Sequence, residues 1–280
     1  MHELNLTFET ALIAMGLTLL AGLSTGIGSL MAFLAKATNK KFLSGTLGLS
    51  AGVMLYVSFM EMLPESLVQM EGIYPGKLHI IYVILSFFGG MGLIALIDFL
   101  IPEDENPHEP QNVERMADEN RFSATPATNE HHRLKRTGMT LALAIGIHNF
   151  PEGVATFVSA LNGLDVAIPI VVAIAIHNIP EGIAVSVPIY HATGNRKHAL
   201  VYSLLSGLAE PLGALLALAF LIPFWTPLLS SVLLAAVAGI MVFISLDELL
   251  PGAERYGHHH YAITGVCAGM ALMAFSLLLF

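Results

Sequence analysis

Of 280 residues, 55% are hydrophobic and only 12% are charged, and the mean hydropathy of +0.72 lies well above the range of water-soluble domains. This excludes a soluble globular class and makes the chain an integral membrane protein. A formal net charge of -9 gives no reason to expect a nucleic-acid partner, and a single cysteine, Cys267, rules out an intrachain disulfide.

Crossing a bilayer as helix takes roughly 20 apolar residues, and eight stretches meet that length: 11–35, 42–69, 79–101, 138–161, 166–190, 199–222, 227–250 and 261–280. The whole chain reads as a single transmembrane domain of all-α class. The first stretch follows "MHELNLTFET", which has neither a basic leader nor a small-residue cleavage pattern, so it reads as a retained helix rather than a signal peptide. Cys267 falls within the last stretch, where a core position is expected for a small apolar thiol. Residues 102–137 are the one long connection. They are rich in proline and charge, poor in anything to bury, and read as a largely disordered loop. Lys36, Lys40, Lys41, Arg115, Arg121, Arg133, Lys135, Arg136, Arg196, Lys197 and Arg255 fall in alternate loops on one side, against Lys77 alone on the other. By the positive-inside rule the richer side is cytoplasmic, so both termini lie outside.

The fourth stretch contains "HNFPEG" (148–153), and the fifth contains "HNIPEG" (177–182). Residues four apart share a helix face, so His148 pairs with Glu152 and His177 with Glu181. Pro151 and Pro180 cannot donate to the preceding turn, and a kink is expected at each motif. The midpoints of the fourth, fifth and sixth stretches fall beside Asn149, at Asn178 and next to Glu210, so the three helices bring polar groups to one depth. Ionisable groups there cost roughly 2.5 to 3.5 kcal/mol each, so they face a cavity or one another. Three carboxylates sharing a dry site repel, and a divalent cation removes the conflict. Imidazole mixed with carboxylate suits zinc and its first-row neighbours.

Further polar groups lie toward the ends of the spans. Glu61 and Glu65 stand at the outer end of the second stretch and are candidates for a cation entrance. Asp247 and Glu248 stand at the cytoplasmic end of the seventh and are exit candidates. His108, His131 and His132 in the long loop and His258, His259 and His260 in "GHHH" are possible weak metal collectors on the same side. Trp225 and Tyr82 fit interfacial aromatic positions.

On "HNFPEG", "HNIPEG" and "GLAEPLG" in successive spans the chain resembles the ZIP family of divalent-metal transporters, along its whole length. The resemblance implies a ZIP-type bundle in which the first three and last three helices are related by pseudo-symmetry about kinked fourth and fifth helices. It further implies a binuclear site. One metal would be held by Met54, His148, Glu152, His177 and Glu181, and the other by Asn149, Glu152, Asn178, Glu181 and Glu210, with both glutamates bridging. Met54 owes its place to the resemblance alone, since a lone methionine otherwise reads as core. Many family members carry His-Glu-x-Pro-His-Glu in the fifth helix, whereas here Asn178 and Glu181 replace its first glutamate and second histidine.

The expectation is a secondary importer of Zn(II), and with its harder donors also of Fe(II), Mn(II) and Cd(II), with proton coupling through the imidazoles. It would be a multi-pass protein of a bacterial cytoplasmic (inner) membrane, in contact with lipid and with a homodimer as the candidate assembly. It needs no resident cofactor, and no GxxxxGK[ST] loop for ATP occurs. Two rivals are an intramembrane zinc hydrolase, for which HExxH is absent, and a metal sensor, which would require a folded output domain.

Overall fold

The computed structural model describes residues 7–34, 40–100, 146–147, 149–221, 224 and 226–278. All regular elements among them are helical, as a bilayer interior demands when no water can satisfy the backbone. Seven helical stretches among the described residues are long and apolar enough to cross a membrane. They correspond to every expected span but the fourth. That span contributes a helix over 149–162, and residues 138–145 together with His148 lie outside the described residues. So do the loop 102–137 with His108, His131 and His132, and Trp225.

The second and seventh spans are not plain α-helices. Lys40–Val57 passes through a widened π turn, Ser58–Met62, into Leu63–Glu71. Pro227–Ile244 likewise passes through Ser245–Leu249 into Leu250–Glu254. In each, the amide five residues on closes the turn: Leu63 N–H donates to the Ser58 carbonyl and Leu250 N–H to that of Ser245. Pro64 and Pro251 follow directly. A proline ring crowds the carbonyl four residues earlier, and an extra residue in the turn relieves that clash. The fifth span, Leu164–Thr193, stays helical through Pro180, whereas the sixth is interrupted at Leu208, between Arg196–Gly207 and Ala209–Leu216.

Close backbone approaches divide the spans into groups. A Cβ on Gly22 would meet the Gly207 carbonyl at 2.4 Å, one on Gly153 the Glu210 carbonyl at 1.9 Å, and one on Gly182 the Thr25 carbonyl at 1.8 Å. These join the first, fourth, fifth and sixth spans. Gly52 fits against Val266, and Gly90 against Ala236, in the same way, joining the second span to the eighth and the third to the seventh. Small residues let membrane helices approach where no hydrophobic drive distinguishes lipid from protein. Ser66 of the second span and Ser231 of the seventh exchange hydrogen bonds, so the second, third, seventh and eighth spans form one group, which meets the other through side chains, with Met54, Val57, Ile170, Ile174 and Met241 in one core cluster.

Of these seven, the fifth span is the most enclosed, with 78% of its central window buried, against 22% for the third and the eighth. Cys267, on the eighth span, is exposed rather than in the core. Lipid is as apolar as a protein interior, so hydropathy alone does not tell a core face from a lipid face.

Candidate functional site

The fourth, fifth and sixth spans deliver Asn149, Glu152, His177, Asn178, Glu181 and Glu210 to the interior, all buried, and the second span delivers Met54, also buried. What brings the spans this close is glycine directly after each motif glutamate: Gly153 lies against Glu210 and Gly182 against Thr25.

His177 is oriented by its own helix. Its Nδ1 lies 3.0 Å from the Ala173 carbonyl, which can only accept, so Nδ1 carries the proton. In the neutral ring the Nε2 lone pair then faces the Glu152 carboxylate, 3.2 Å from each of its oxygens. A cation placed between that ring nitrogen and the carboxylate would be ligated by both.

The asparagines are turned by the same logic. Asn149 Nδ2 donates to the Ser206 carbonyl at 3.2 Å. Asn178 Nδ2 donates to the Ala21 carbonyl at 3.0 Å and to Glu210 Oε1. With each amide nitrogen spent on a neighbour, each Oδ1 is left as the inward donor. Asn149 Oδ1, Asn178 Oδ1 and Glu210 Oε2 are buried without a hydrogen-bond partner. Orphaned oxygens in a buried polar cluster are what a hard or borderline cation would satisfy.

Among the described residues no three His, Cys, Asp or Glu side chains converge closely enough to enclose an ion. The site stands as two contacts, His177–Glu152 and Asn178–Glu210, with His148 outside the described residues. Ser50 of the second span donates to the His177 carbonyl at 3.3 Å and bridges the two groups of spans.

The entrance candidates Glu61 and Glu65 are half-buried, on and just past the π turn Ser58–Met62, and Glu65 accepts from Gln69 at 2.8 Å. Asp247 and Glu248 sit in the π turn Ser245–Leu249, half-buried, with Asp247 within electrostatic reach of Arg255. Of the trio at 258–260, His259 pairs with Glu254 at 2.8 Å, both exposed, and the His258 carbonyl accepts from Ser44 at 3.0 Å. Sequence reasoning missed Ser50, Ser206 and Glu254. It also missed the π turns, although a signal was present: Ser58, Glu61, Pro64 and Ser245, Glu248, Pro251 repeat one spacing.

Residues 7–277 match the family described as ZIP Zinc transporter. The chain is 57% identical to a zinc transporter ZupT of Clostridium perfringens over 282 residues, covering 97% of each chain. It is 57% identical to one of Streptococcus mutans, over 94% of this chain and 96% of the relative. A third, from Akkermansia muciniphila, is 54% identical over 98% of this chain and 100% of its own.

Proposed function

Because the chain belongs to the ZIP zinc transporter family, we propose that it imports Zn(II) into the cytoplasm through the buried His/Asn/Glu cluster of its fourth, fifth and sixth spans. The observation that carries this reading is the set of inward lone pairs: His177 Nε2, the Glu152 carboxylate, the oxygens of Asn149 and Asn178, and Glu210 Oε2.

The full site is binuclear. Met54, His148, Glu152, His177 and Glu181 hold one ion, and Asn149, Glu152, Asn178, Glu181 and Glu210 hold the other, with the two glutamates shared. Oxygen donors outnumber imidazoles, so Fe(II), Mn(II) and Cd(II) are accepted beside zinc. Only neutral imidazole and ionised carboxylate ligate well. Protons reaching His148 or His177 therefore lower affinity, and release on the cytoplasmic side is coupled to proton binding.

Alternating access fits the two groups of spans. The group that carries the cluster is knit together by backbone contact at glycines, while the boundary with the other group is made of side chains and the Ser50 bond. Such a boundary is the part that slides. Both termini face outward, in a bacterial inner membrane. Equilibrium titration of detergent-purified protein tests the site: two zinc ions per chain are expected, falling to one in Glu210→Ala. One ion per wild-type chain, unchanged by Glu210→Ala, would remove the binuclear reading.

A further inference from the structure

Four hydroxyls among the described residues are buried and have no hydrogen-bond partner: Thr156 and Ser159 on the fourth span, and Thr25 and Ser29 on the first. Inside a helix a serine or threonine without other partners bonds the carbonyl one turn back. Elsewhere in this molecule they do so: Thr18 bonds Ala14 at 2.9 Å, Ser58 bonds Met54 at 2.8 Å, and Ser245 bonds Met241 at 2.7 Å. The four exceptions belong to the group of spans that holds the metal cluster.

Their positions are ordered about that cluster. Thr156 and Ser159 lie four and seven residues beyond Glu152, on its own helical face, roughly one and two turns further along the span. The same span ends at Asn162, which donates to Ser230 of the seventh span at 2.9 Å. Thr25 and Ser29 extend the other way. The Thr25 carbonyl lies against Gly182 and Phe33 packs on Tyr190, so the first and fifth spans run side by side in one direction. Ser29 thus lies beyond the cluster on the side away from Thr156.

We propose that these hydroxyls line two half-routes through which a hydrated divalent cation reaches and leaves the buried cluster, Thr156 and Ser159 on the outer side and Thr25 and Ser29 on the inner. Each hydroxyl substitutes for a water of the cation's hydration shell as the ion strips down to its ligands. The bond between Asn162 and Ser230 closes the outer route where the two groups of spans meet. The sidedness rests on the orientation given under Proposed function.

The test uses the full chain carrying Cys267→Ser, with one cysteine restored at a time: Thr156→Cys, Ser159→Cys, Ser29→Cys, and Val158→Cys as a buried control packed in an apolar cluster. A membrane-impermeant cationic thiol reagent is applied to either face of sealed vesicles. Positions 156 and 159 react from outside, and 29 from inside, about tenfold or more faster than 158, and zinc slows each. Reaction no faster than at 158 from both faces overturns the route. Reaction with the two faces exchanged keeps the route and overturns the orientation. Independently, Thr156→Val keeps the shape and removes the hydroxyl. Zinc flux falls several-fold while equilibrium zinc binding is unchanged; flux at the wild-type rate overturns the role of Thr156.

Discussion

Gly153→Ala places a methyl group 1.9 Å from the Glu210 carbonyl oxygen and 2.6 Å from its Cα. Both are backbone atoms of a packed helix, so no side chain can swing aside, and the fourth and sixth spans must part by about 1.5 Å to reach ordinary contact. Overpacking of this kind costs about 1 to 3 kcal/mol. The functional cost is larger, because Glu152 and Glu210 sit on the two helices that separate, and metal ligation tolerates displacements of only about 0.2 Å. Zinc flux into vesicles should fall by about tenfold or more, with a lowered thermal midpoint and weaker zinc binding. Gly89→Ala on the third span, where nothing lies within 4 Å of the added carbon, is the matched control. It should leave flux intact and stabilise its helix by up to about 1 kcal/mol. If Gly153→Ala transported and melted like wild type, the close approach that builds the site would be refuted.

Asn178→Asp removes the amide that donates to Glu210 and puts a second carboxylate against it. Without metal the variant should be less stable by about 1 to 3 kcal/mol, and added zinc should raise its melting temperature more than it raises that of wild type. Ser66 and Ser231 exchange hydrogen bonds between the second and seventh spans at 2.9 and 2.8 Å, away from the buried His/Asn/Glu cluster. A double-mutant cycle to alanine should give a coupling of about 0.6 kcal/mol, at most about 1.7, with flux retained. The exposed pair of His259 and Glu254 should contribute less than about 1 kcal/mol, so Glu254→Gln should leave the melting temperature unchanged at low and high salt. Since protonated imidazole is a poor ligand, zinc affinity should fall as pH drops through the histidine range, and His177→Gln should flatten that dependence in a titration series.

The helical architecture was legible because lipid imposes it: a chain this apolar with polar breaks at regular intervals has no other way to satisfy its backbone. The cluster was legible through spacing, since His177 and Glu181 share a helix face whatever surrounds them, and the span midpoints pointed to Asn178 and Glu210 lying together, as their contact has them. What lay beyond the sequence was choice of partner. Nothing local to Asn178 says that its amide nitrogen turns to Ala21 and Glu210 and leaves its oxygen inward. Nor does composition tell that Gly153 marks contact with the sixth span, or that Cys267 faces outward. The π turns were half-legible, because Pro64 and Pro251 announce strain in the preceding turn without saying whether the helix bends, breaks or widens to absorb it.

The central claim is that zinc crosses the membrane through the buried cluster. Its most direct test is zinc influx into proteoliposomes loaded with a zinc-sensitive dye, with wild type, His177→Ala and protein-free vesicles side by side. Influx with wild type that collapses to the protein-free level in His177→Ala is the predicted result. Wild-type protein that binds zinc yet admits no more of it than protein-free vesicles, or a His177→Ala variant that transports at the full rate, would contradict the account.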